Sequence, residues 1–97
     1  MPPDQPLPGR VRRHVWVAGR VQNVWFRDAC RAKAEALAVD GWVHNLADGR
    51  VEAVFEGAPQ AVEALVAWCD DGPSRARVAR VEVRDEHVLG EQGFEVR

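Results

Sequence analysis

The sequence predicts an α+β sandwich, with two helices on one face of a four-stranded antiparallel sheet and the chain order βαββαβ. Three observations carry that expectation. Four stretches of strand length (residues 11–18, 42–46, 50–56 and 78–85) are rich in valine and aromatic residues, often alternating with polar ones. Two segments between them repeat apolar residues at helical spacing along one side only. The breaks between segments are glycine, proline or Asp-Gly pairs. A helix with one apolar stripe must bury it against a sheet. Right-handed crossovers then place both helices on the same face, which is the ferredoxin-like arrangement.

Each element has its own justification. Val11, Arg13, Val15 and Val17 alternate with Arg12, His14, Trp16 and Ala18, giving a first strand with one mostly apolar face. Trp16 implies that the second face is partly covered as well, and Gly19 ends the run. The first helix is expected from Trp25 to about Leu37. Its stripe is Phe26, Cys30, Ala34, Leu37 and Ala38, with Asp28, Arg31, Lys33 and Glu35 toward water. Asp40-Gly41 is its expected stop. Trp42 to Leu46 and Arg50 to Glu56 read as strands joined at Asp48-Gly49, a turn pair suited to a hairpin. Gly57-Ala58-Pro59 opens a second helix, proline being tolerated in the first turn. Val62, Leu65, Val66 and Cys69 form its stripe, and Asp71-Gly72-Pro73 ends it. Val78 to Asp85 is a strand with Val81 and Val83 on one face. Phe94-Glu95-Val96 is a short candidate fifth strand. Residues 1–9, with Pro2, Pro3, Pro6 and Pro8, are expected to be a loose tail, and residues 10–97 a single domain.

Composition narrows the function. The 97 residues carry a formal charge of -2, so no broad basic field draws the chain to nucleic acid or to an anionic membrane. No apolar run is long enough to span a bilayer, and no secretory h-region follows Met1. Arginine outnumbers Lys33 twelve to one, a bias of the kind GC-rich bacterial genomes impose. Cys30 and Cys69 fall at apolar helical positions without metal or redox spacing, which reads as buried thiols in a cytoplasmic protein. His14, His44 and His87 lack ligand spacing, so rim or surface positions are expected and no metal site. Trp16, Trp25, Trp42 and Trp68 are expected mainly at core or sheet-face positions.

The informative stretch is Gly19-Arg20-Val21-Gln22-Asn23-Val24-Trp25-Phe26-Arg27, a turn from strand into helix. Such a turn leaves backbone N–H groups without partners, and the helix dipole adds positive charge there. Arg27 falls in the first helical turn, where a cation opposes the dipole. An arginine there makes sense if an anion sits opposite it.

This stretch resembles the acylphosphatase signature, a G-x-V-Q-G-V-x-F-R pattern, and Gly41-Trp42-Val43-His44-Asn45 resembles the second motif of that family. Asp48-Gly49-Arg50-Val51, Ser74-Arg75-Ala76-Arg77-Val78 and Phe94-Glu95-Val96 are similar too, so the resemblance covers nearly all of the chain from Arg10 onward. It implies hydrolysis of acyl phosphates, the mixed anhydrides of carboxylic and phosphoric acids, to carboxylate and inorganic phosphate. It further implies a phosphate loop with ligands at Gly19, Val21, Gln22, Asn23 and Val24, with Arg27 on the phosphate oxygens and Asn45 holding the attacking water. No metal, no organic cofactor and no phosphoenzyme are implied. The chemistry of those residue types agrees. A guanidinium fork matches two phosphate oxygens, and an asparagine carbonyl can aim a water without acting as a base. The good carboxylate leaving group makes a strong protein base dispensable, the substrate's own phosphate taking the proton.

The chain departs from the pattern at Asn23, where a second glycine is usual. Asparagine is the non-glycine residue that best tolerates left-handed backbone, so the loop is expected to keep its shape. Two other readings stay open. One is a non-catalytic module binding phosphate or carbamoyl phosphate within a larger carbamoyl-transfer protein; the chain's end at Arg97 with no second domain favours a free-standing enzyme. The other is an RNA-binding ferredoxin-like domain, disfavoured by the acids on strands 50–56 and 78–85. A small two-layer domain with a charged surface is expected to be a monomer.

Overall fold

In the computed structural model, which describes residues 9–97, the chain runs β1 (Val11–Arg20), α1 (Phe26–Ala36), β2 (Asp40–Asn45), β3 (Val51–Gly57), α2 (Pro59–Cys69), β4 (Arg77–Glu86) and β5 (Phe94–Val96). The expected tail at residues 1–9 lies, except for Gly9, outside the described residues. The sheet order is β4-β1-β3-β2-β5. The first four strands pair antiparallel, whereas β5 joins β2 in parallel, so the sheet is mixed and five-stranded. Helix α1 packs on β2 and β5, and α2 on β1 and β3.

Alternation along the strands decides which side chains enter the core. Val15 and Val17 of β1, Val51, Ala53 and Phe55 of β3, and Val43 of β2 share one face. They meet Phe26, Cys30 and Ala34 from α1 and Val62, Leu65 and Cys69 from α2. Both cysteines are buried free thiols, and burial pushes Cys30 up to about 12.

Three expectations about α1 are corrected. The helix starts one residue later, because Trp25 is its N-cap in a left-handed conformation (φ 66°). It ends at Ala36, and Ala38 (φ 57°) supplies the left-handed reversal, so Ala38 is exposed and does not extend the stripe. Asp40 and Gly41 open β2 rather than stopping the helix. Gly41 is glycine for another reason: a Cβ there would lie 1.8 Å from the carbonyl oxygen of Val54 on the neighbouring strand.

The opposite sheet face combines Trp16, Trp42 and Val54 with charged residues joined in ion pairs. Glu56, with no exposed surface, accepts hydrogen bonds from the backbone N–H groups of Leu89 (2.8 Å), Gly90 (3.0 Å) and Glu91 (2.8 Å) and from Arg12 Nη1 (2.7 Å). Arg12 also reaches Glu86 at 2.9 Å and Glu91 at 3.1 Å. One carboxylate thus fastens the 87–93 connection across β1 and β3. His14 stacks on Trp16 and bonds both Glu52 and Glu86. His44 bonds the other oxygen of Glu52.

Burial would raise the Glu56 pKa, but the Leu89 N–H, Arg12 and the Glu91 and Gly90 N–H groups outweigh it and hold the carboxyl below its ordinary 4.5. A depressed carboxyl pKa contributes stability above the unfolded-state value, and that contribution disappears as pH falls through the folded-state value. Glu56→Gln is therefore expected to lose about 2–3 kcal/mol in urea denaturation at neutral pH. The difference from wild type should shrink as pH falls below the ordinary carboxyl value of 4.5 and on through the lower folded-state value. A constant gap across that range would contradict the assignment.

Candidate active site

Strand β3 lies between β1 and β2 and is antiparallel to both, so β1 and β2 run in the same direction. Their C-terminal ends therefore meet at one edge of the sheet. The 21–25 loop leaves β1 there, and Asn45 closes β2 there, on the core face because it pairs with Val51. Strand β5, parallel to β2, brings Val96 opposite Val43 and delivers the last residue to the same edge. The three ends enclose a cleft of about 360 Å³ lined by Val21, Asn23, Trp25, Phe26, Arg27, Asp28, Asn45 and Val96.

The loop is fixed without using its own backbone donors. Among the described residues, no N–H from Val21 to Val24 donates to a backbone carbonyl oxygen. Its shape comes instead from buried Val21 and Val24, from left-handed backbone at Asn23 (φ 62°) and Trp25, and from Gln22. Gln22 Nε2 donates to the carbonyl oxygens of Leu46 (2.8 Å) and Arg50 (3.0 Å), tying the loop to the β2–β3 hairpin. Helix α1 has no side-chain cap, so its first-turn N–H groups also stay open.

Arg27 Nη1 donates to the main-chain oxygen of Arg97 at 2.9 Å, and Arg27 pairs with no aspartate or glutamate among the described residues. A half-buried guanidinium with one main-chain oxygen as its hydrogen-bond partner keeps further donors for an anion. Asn45 Oδ1 is buried and has no hydrogen-bond partner. Buried polar atoms almost always have one, so this unpartnered acceptor, on a residue that lines the cleft, is suited to a bound water.

The sequence-derived residues therefore divide. Val21, Asn23, Arg27 and Asn45 are brought together on the cleft wall. Gly19, Gln22 and Val24 are not part of that wall. Gly19 belongs to β1, at a bulge against β4, where a Cβ would lie 2.3 Å from the carbonyl oxygen of Arg77. Its glycine is required by strand packing. Trp25, expected at a core or sheet-face position, is 69% exposed at the cleft mouth, because its left-handed backbone turns it away from the core. Asp28 and Val96 also line the cleft and were not anticipated. Helical position placed Asp28 toward water without showing that the cleft was there. Val96 depends on the parallel β2–β5 pairing, which no local signal announces.

The protein-family model described as acylphosphatase matches residues 13–96. The chain is 61% identical to an acylphosphatase of Rubrobacter xylanophilus, over 91% of this chain and 79% of that one. It is 55% identical to an acylphosphatase of Chloroflexus aurantiacus, over 87% and 91% respectively. Among solved structures, an acylphosphatase from Coxiella burnetii aligns with a TM-score of 0.88 at 39% identity, covering 92% of this chain and 94% of that one.

The left-handed turn at Asn23 has a measurable consequence. Asn23→Ala should lose about 1 kcal/mol of stability, because alanine meets the full left-handed penalty. Asn23→Gly should stay within about 0.5 kcal/mol of wild type. Chemical denaturation of the three proteins checks this, and an alanine variant as stable as wild type would show that residue 23 is free to leave that conformation.

Proposed function

The chain belongs to the acylphosphatase family, and we propose that Arg27, Asn45 and the 21–24 loop perform its reaction in the cleft at the end of β1 and β2. The reaction is hydrolysis of an acyl phosphate to a carboxylate and inorganic phosphate. The observation that carries the assignment is the pairing of unsatisfied groups of opposite kind. The cleft lining brings together Arg27, loop residues whose N–H groups have no backbone partner, and Asn45, whose buried Oδ1 has no hydrogen-bond partner.

In this reading the phosphoryl oxygens lie on the loop N–H groups and the α1 N-terminus, where dipole and donors favour negative charge. Arg27 leaves the Arg97 oxygen and takes two phosphoryl oxygens in its fork. Asn45 Oδ1 accepts a hydrogen bond from a water and aims its lone pair at phosphorus. As the P–O(water) bond forms, the P–O(acyl) bond breaks and the electron pair leaves with the carboxylate. A phosphoryl oxygen takes the water proton. The protein supplies position and charge, which is most of what phosphoryl transfer demands. No metal or organic cofactor enters the scheme. Gln22 acts by holding the loop, and Gly19 by letting β1 meet β4.

We place the enzyme in the cytoplasm as a monomer. Two buried free thiols suit a reducing compartment, and all the groups assigned here come from one chain. No helix among the described residues is long and apolar enough to cross a membrane.

Release of inorganic phosphate from an acyl phosphate tests the roles. Arg27→Ala should lower kcat/KM by about a thousandfold and weaken inhibition by inorganic phosphate. Asn45→Ala should lower kcat by about a hundredfold and leave phosphate inhibition nearly unchanged, since the residue is assigned to the water. An Arg27→Ala enzyme as fast as wild type would remove Arg27 from the mechanism.

A further inference from the structure

Trp25 lines the cleft, yet neither phosphate binding nor water positioning uses its side chain. Its ring is 69% exposed, whereas tryptophan is on average a well-buried residue. Its backbone sits at φ 66°, ψ 23°, a strained conformation for so bulky a residue. It occupies the N-cap of α1, where serine, threonine, aspartate or asparagine usually binds the first helical N–H groups, and it makes no such bond. Strain, exposure and a forgone cap all disfavour tryptophan here on stability grounds, and strain kept at a site points toward function. The other exposed large apolar residues, Val83, Val88 and Leu89, belong to β4 and the 87–93 connection and do not line the cleft.

The substrate's geometry says what such a ring could meet. In an acyl phosphate the carboxyl carbon is one oxygen away from phosphorus, so a phosphoryl group seated on the loop puts the acyl chain at the cleft mouth. The cleft volume, about 360 Å³, falls among sites that hold whole small molecules rather than a lone anion. The apolar part of its wall includes Trp25 and the half-buried Val96 of β5.

We infer that Trp25 and Val96 form an acyl subsite that selects apolar, preferably aromatic, carboxylic halves by stacking on the exposed indole. The inference rests on the phosphate reading of the loop and adds a preference to it. An aromatic acyl group would cover the ring face that water covers now, and an offset aromatic pair is favourable beyond its buried area. A small acyl group such as acetyl would gain little from the ring.

The test compares benzoyl phosphate with acetyl phosphate for wild type, Trp25→Asn and Trp25→Phe, together with inhibition by inorganic phosphate. Asparagine tolerates the left-handed backbone but has no aromatic face, so the loop geometry is kept. The ratio of kcat/KM for benzoyl over acetyl phosphate should fall about tenfold in Trp25→Asn and recover in large part in Trp25→Phe. The inhibition constant for phosphate should stay within about twofold of wild type, because the acyl side is the altered part. Parallel loss on both substrates, or an unchanged ratio, would overturn the subsite while leaving the hydrolase reading intact. A wild-type protein that hydrolyses neither substrate would overturn both.

Discussion

An anion cradle built from backbone must keep its N–H groups unsatisfied and still hold one shape, and the site edge of this protein is arranged around that requirement. A loop can ordinarily be fixed by hydrogen-bonding its own amides, which would close the site. Here the restraint comes from elsewhere. Val21 and Val24 anchor the loop in the core, Gln22 binds two carbonyl oxygens of the adjacent hairpin, and left-handed turns at Asn23 and Trp25 steer the chain into α1. The amides from Val21 to Val24 are left open among the described residues. The same requirement reaches Gly19, since a β-carbon there would press on the β4 backbone and shift the strand from which the loop departs.

The rest of the fold supplies a rigid frame. Because β3 separates two parallel strands, the loop and Asn45 are positioned by one hydrogen-bonded ladder rather than by a flexible connection. On the far face, Glu56 collects three backbone N–H groups and Arg12, fastening the connection that returns the chain to β5. Strand β5 then carries Val96 into the cleft and the Arg97 oxygen to Arg27. The ionic face has no atom in the cleft, yet it anchors the connection leading to the strand that forms one cleft wall.

Much of this was legible in the sequence, for reasons that differ by residue. Helices and strands followed from apolar period, as Val62, Leu65 and Cys69 illustrate, because burial against a sheet leaves that imprint. Arg27 stood out because a cation at a helix N-terminus conflicts with the dipole, and the match to a known signature added Asn45. Asn23 was read as a left-handed position and has φ 62°. What stayed hidden depends on non-local pairing. Nothing in the sequence set Glu56 apart from the other strand acids, and three of its hydrogen-bond partners come from the distant 87–93 connection. Ala38 looked like one more stripe residue until the left-handed reversal turned the chain. Trp25 was expected at a core or sheet-face position, the usual place for tryptophan, and its backbone angle could not be read from a spacing pattern.

The most direct measurement is of the amides themselves. Backbone ¹H–¹⁵N shifts recorded while inorganic phosphate is titrated into the enzyme report which N–H groups accept the anion. The account requires the largest downfield proton shifts at residues 21–24 and the first turn of α1, accompanied by a shift of the Arg27 guanidinium resonances. Phosphate that binds with its largest shifts elsewhere, leaving residues 21–27 unmoved, would contradict the cradle.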